Sequence, residues 1–68
     1  MMSVMKLKAY LQLTGKRSVD LARALGKHPV YINYIVNGAK PSALLAAEIE
    51  RWSDGAVPRA ELRPDIFA

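Results

Sequence analysis

The stretch Ser18-Val19-Asp20-Leu21-Ala22-Arg23-Ala24-Leu25-Gly26-Lys27-His28-Pro29-Val30-Tyr31-Ile32-Asn33-Tyr34-Ile35-Val36-Asn37-Gly38 decides the fold. Ser18 suits an N-cap, and Asp20 follows in the first turn, where the helix dipole favours a negative charge. Leu21, Ala22 and Leu25 form an apolar stripe that Gly26 ends. Pro29 has the fixed φ of a first helical position, so His28 becomes the cap of a second short helix. Its body runs from Val30 to Val36, Ile32 and Ile35 share one face, and Asn37-Gly38 stops it. Two short helices joined by a tight glycine turn, with a small Ala22 where they cross, meet the needs of a helix-turn-helix.

Outward from this pair the pattern stays helical. Ser3 to Leu13 places Val4, Leu7 and Leu11 at helical spacing, and Thr14-Gly15 supplies a stop. Pro41-Ser42 restarts the chain, and Leu45, Ile49 and Trp52 define a fourth helix. Beyond Asp54-Gly55, Pro58 and Pro64 limit regular structure to about one turn over Arg59 to Arg63. This segment reads as an extended tail whose Val57, Leu62, Ile66 and Phe67 dock on the helices. The expected fold is all-α: a small bundle of four to five helices as one domain over residues 1–68, with a helical core at 1–53 and a docked tail at 54–68.

Composition narrows the function. The 68 residues include ten Lys and Arg against six Asp and Glu, a net charge of +4. Residues 1–40 carry +6 and residues 41–68 carry −2, so one half offers a surface for a polyanion and the other does not. An ordinary solvated basic face would look the same. There is no cysteine and one histidine, so neither a disulfide nor a structural zinc site staples the domain. So small a core implies modest stability and a second subunit. No paired carboxylates or nucleophile pattern suggest an enzyme, and no cofactor or metal is implied. No apolar run approaches the roughly 18 residues of a membrane span, and Met1 to Met5 is too short for a signal peptide, so a cytoplasmic protein is expected. Met1, Met2 and Met5 each offer a translation start.

The sequence resembles the Cro-like helix-turn-helix regulators, and within them the prophage group called YdaS. The resemblance rests on Leu21-Ala22-Arg23-Ala24-Leu25-Gly26, on Pro29 with Tyr31-Ile32, on Asn37-Gly38 with Pro41-Ser42, and on Ala47 with Ile49-Glu50-Arg51. The tail adds Gly55-Ala56-Val57 and Leu62-Arg63-Pro64-Asp65-Ile66-Phe67, so nearly the whole chain is covered. It implies a small all-helical DNA-binding domain in transcriptional control, acting as a dimer on a two-fold symmetric operator. Three positions depart from the pattern. Lys27 replaces an apolar residue, His28 replaces a Ser or Thr cap, and Pro58 replaces a Thr cap, which leaves Glu61 without a capping-box partner.

In such a protein the helix over residues 28–37 enters the major groove of double-stranded DNA and presents His28, Val30, Asn33, Tyr34 and Asn37 to the bases. Asn33 suits bidentate pairing with adenine, and Val30 suits a thymine methyl. No Lys or Arg lies between Pro29 and Ala39, so guanine has no forked partner from this helix. Lys16, Arg17, Arg23, Lys27 and Lys40 flank it as phosphate contacts. Trp52, Ile66 and Phe67 are the candidate homodimer contacts. Each has a plainer reading: Asn33 as a solvated position, Tyr34 and Tyr31 as packing residues, His28 as a solvent-facing cap, Trp52 as core. A second functional class is an antitoxin-like module that masks a protein partner through its apolar tail.

Overall fold

The computed structural model describes residues 4–67; Met1, Met2, Ser3 and Ala68 lie outside it, and with them the expected helix start at Ser3 and two of the three start methionines. The chain forms α1 (Leu7–Thr14), α2 (Ser18–Leu25), α3 (Pro29–Val36), α4 (Ala43–Trp52) and α5 (Arg59–Leu62). Among the described residues there is no strand.

Four of the boundaries have local causes. The α2 C-terminus closes with Gly26 at φ 66°, and the Lys27 N–H donates to the Ala22 carbonyl at 2.8 Å. A Cβ added at Gly26 would meet nothing within 4 Å, so the glycine is required by its backbone angle and not by crowding. α3 starts as the proline implies, with the His28 Nδ1 accepting the Val30 N–H at 3.1 Å. The Ser42 Oγ caps α4 by accepting the Leu45 N–H at 3.1 Å. α4 ends at Trp52 with Ser53 as its C-cap, and beyond it Asp54 takes the left-handed conformation at φ 56° while the Gly55 N–H closes onto the Glu50 carbonyl.

Two starts differ from the sequence pattern. α1 begins at Leu7, not Ser3, because the Met5 N–H donates to the Ala56 carbonyl at 2.9 Å and holds residues 4–6 against the tail. Val4 therefore leaves the apolar stripe and is exposed, while Met5 packs on the core. The cap of α2 is Arg17, not Ser18. The carboxylate of Asp20 reaches back to accept the Arg17 N–H at 2.9 Å, so the helix starts one residue before the serine can cap it.

The core gathers Leu7 and Leu11 of α1, Leu21 and Ala22 of α2, Ile32 and Ile35 of α3, and Leu45 and Ile49 of α4, with Val57 from the tail. α2 and α3 are the most closely packed pair of helices, consistent with the small Ala22, which is almost fully buried. Val57 docks as expected and Leu62 and Phe67 are half-buried. Ile66 does not dock; it is 48% exposed. The tail closes on itself through the Ile66 and Phe67 N–H groups, both donating to the Arg63 carbonyl, and it is Phe67 that finds a partner, the Arg59 guanidinium 5.5 Å from its ring centre.

The missing Thr cap at Pro58 is made good from another helix. The Glu50 Oε1 of α4 accepts the Arg59 N–H at 2.7 Å and the Arg59 Nε at 3.0 Å, which caps α5 and pairs its first side chain. The backbone N–H of Arg59 is the main cause holding the Glu50 carboxyl below its usual range.

Candidate nucleic-acid interface

α3 is held by two buried residues, Ile32 and Ile35, and everything else on it is exposed or partly so. Val30 is 52% exposed, Tyr31 41% and Tyr34 63%, and His28, Asn33 and Asn37 are exposed with them. The helix thus offers an uncharged face of amide, imidazole, aliphatic and phenol groups. Because the His28 Nδ1 accepts the Val30 N–H, the ring proton sits on Nε2, which makes the outer nitrogen a hydrogen-bond donor. Tyr31 and Tyr34 therefore stand out from the core and do not pack as core residues. Asn37 is partly occupied: its Nδ2 donates to the Asn33 carbonyl at 2.9 Å. Asn33 has no such tie among the described residues, so its amide has both faces of its hydrogen-bonding capacity to offer.

The five phosphate candidates fall into separate groups. Lys16 and Arg17 line one concavity with Lys8, Leu11, Gln12, Ser18 and Val36, at the last turn of α3. Arg17 is exposed and lies 3.9 Å from Asp20. The Lys16 Nζ rests 4.8 Å from the Trp52 ring centre and 5.6 Å from that of Tyr10. Arg23 and Lys27 are exposed toward the other end of α2 and make no ion pair among the described residues. Lys40 follows α3 in the loop to α4, 3.9 Å from Asp65.

Two cations escaped the sequence reading. Lys6 and Lys8 line a second concavity with Asn37, Gly38 and Ala39, beside Glu61 and Leu62, so α1 contributes positive charge to the end of α3. Their only signal in the sequence was membership of the basic half. Leu13 and Leu44, 73% and 70% exposed, were likewise not singled out. Of the dimer candidates, Trp52 is half-buried, edge-on to Tyr10 with ring centres 5.7 Å apart; Phe67 is half-buried against Arg59; Ile66 is the exposed one.

The arrangement defines a class: a small all-helical protein that fits a helix-turn-helix and displays an uncharged helix face flanked by cations. The chain is 38% identical over 63 residues, 90% of its length and 96% of the relative's, to a prophage transcriptional regulatory protein of Escherichia coli strain K12. It belongs to the family of that prophage transcriptional regulatory protein. No protein-family model and no solved structure matches it. Among the described residues no helix is long and apolar enough to cross a membrane, and no three metal-ligating side chains are grouped.

Proposed function

We propose that this protein is a sequence-specific regulator of transcription that binds double-stranded DNA with α2 and α3 as a helix-turn-helix. The observation that carries the reading is the exposed, uncharged face of α3, braced from behind by Ile32 and Ile35 and bordered by Lys8, Lys16 and Arg17. Asn33 pairs with adenine, Val30 meets a thymine methyl, Tyr34 packs on the bases, and the His28 Nε2–H donates to a base or phosphate acceptor. Asn37, tied to the Asn33 carbonyl, contributes less to base reading than the sequence pattern assigned it. Lys16, Arg17, Arg23, Lys27 and Lys40, joined by Lys6 and Lys8, hold phosphates.

The antitoxin-like reading ranks second for a structural reason. The tail commits Val57, Leu62 and Phe67 to its own chain, which leaves Ile66 as its large exposed apolar side chain among the described residues. The test begins with selection of bound duplexes from a random pool. Asn33→Ala is expected to cost about 1–3 kcal/mol on the selected site and almost nothing on random DNA, with the salt slope unchanged. Arg17→Ala is expected to weaken both complexes alike and to reduce the salt slope by roughly one unit. A folded Asn33→Ala protein that loses affinity equally on both DNAs removes α3 as the reading element.

A further inference from the structure

The last turn of the described chain reaches back to the loop that follows α3. Arg63 is the joint. Its side chain is 19% exposed, its Nη1 donates to the Pro41 carbonyl at 2.7 Å, and its Nε and Nη2 donate to the two carboxylate oxygens of Asp65 at 3.0 and 2.9 Å. Pro41 is fully buried, so the anchored carbonyl belongs to a fixed point of the loop. The same Oδ2 of Asp65 lies 3.9 Å from the Lys40 Nζ, whose side chain is 65% exposed.

One carboxylate therefore answers two cations on unequal terms. Arg63 grips it with two short bonds in fork geometry, which fixes Asp65 in place. Lys40 is a single longer contact on the solvent side, of the weak surface kind. A group that can leave, and that sits next to the candidate reading helix, is available to a stronger anion.

We propose that Asp65 competes with a DNA phosphate for Lys40, so that the tail turn restrains how tightly the protein holds the DNA backbone. The inference rests on the DNA-binding reading above. Arg63 keeps Asp65 at the loop whether or not Lys40 is engaged, so the acid acts as a graded restraint and the loop itself does not have to move. Binding must break the Lys40–Asp65 pair, and that pair is strongest at low salt, where phosphate attraction is strongest too.

The experiment is a double-mutant cycle on the selected duplex, using wild type, Asp65→Asn, Lys40→Gln and the double variant, each titrated over a range of salt. Asp65→Asn is expected to bind about 2- to 5-fold tighter, the range of one surface ion pair, with a salt slope steeper by up to about one unit. In the Lys40→Gln background the same change is expected to have no effect. Unchanged or weaker binding by a folded Asp65→Asn protein overturns the competition, and so does an equal gain in both backgrounds, which would mark a general charge effect. Wild type that binds no duplex at any salt overturns the DNA reading, whereas binding without the Asp65 effect overturns the competition alone. If Asp65→Asn melts below the assay temperature, Lys40→Gln alone decides the matter. A cation already answered by Asp65 is expected to lose affinity on removal while lowering the salt slope by less than about one unit, so a drop of a full unit, or no loss of affinity, overturns the proposal.

Discussion

Ser53 links α4 to the tail through one hydroxyl group. It is the buried polar residue among the described residues, and its Oγ both donates to the Glu50 carbonyl at 3.1 Å and accepts the Val57 N–H at 3.0 Å. Val57 is itself fully buried, so its N–H has no water to turn to. Ser53→Ala is therefore expected to destabilise the protein by about 1–3 kcal/mol, the cost of a buried donor left without an acceptor. Denaturant melts check this, and an unchanged midpoint would mean that the backbone shifts to supply another acceptor. His28 shows the same economy of a single residue: a histidine stands where Ser or Thr usually caps, and the Nδ1 does their work while the other nitrogen stays available.

At the scale of elements, α5 is too short to hold itself and depends on a carboxylate from α4. The Glu50 carboxyl lies below its usual range because of the Arg59 N–H and side chain, and the Arg63 fork lowers Asp65 from 3.8 to about 2. Depressed values mean stabilisation that is complete above the ordinary carboxylate range and lost as pH falls through the folded-state values. The expected outcome is loosening of residues 59–67 between about pH 4 and pH 2, read from backbone amide shifts, with Glu50→Gln showing part of that loosening already at neutral pH. Amide shifts in this segment that stay constant down to pH 2 would contradict it.

The same elements show how far sequence alone reaches. Pro29, Asn37-Gly38 and Ser42 mark helix ends by local chemistry, and the α3 face follows from the spacing of Ile32 and Ile35, so the candidate site was largely legible. What was not legible connects residues far apart in the chain. Met5 to Ala56, Glu50 to Arg59, and Arg63 to Pro41 are each set by how the helices pack, and no periodicity announces them. The start of α1 and the placement of Lys6 and Lys8 beside the end of α3 were missed for that reason. Ile66 was misjudged because an apolar residue in a tail looks dockable until the turn around it is known.

The whole molecule is 27 × 24 × 18 Å in extent and has a single α3. Successive major grooves on one face of B-DNA are about 34–36 Å apart. If α3 is the reading helix, one chain places it in one groove, and a two-fold operator takes two chains. Sedimentation of the saturated complex on a selected operator is expected to give two chains per duplex, with half-sites about 10–10.5 base pairs apart. One chain per site would leave DNA binding standing and remove the dimer, and with it the assignment of Ile66, Phe67 and Trp52 as contacts between copies. Charge is divided in the same sense, with the basic half of the chain carrying α1 to α3 and the acidic half carrying α4 and the tail.

The Lys16 ammonium above Trp52 gives the protein an optical property. Trp52 is the only indole in the chain, and a positive charge 4.8 Å from its ring centre perturbs its excited state. Any polyanion that draws Lys16 aside removes that charge and changes the emission colour and yield. The molecule carries its own label beside Lys16, and light from a single side chain can report a polyanion that engages that cation without any dye.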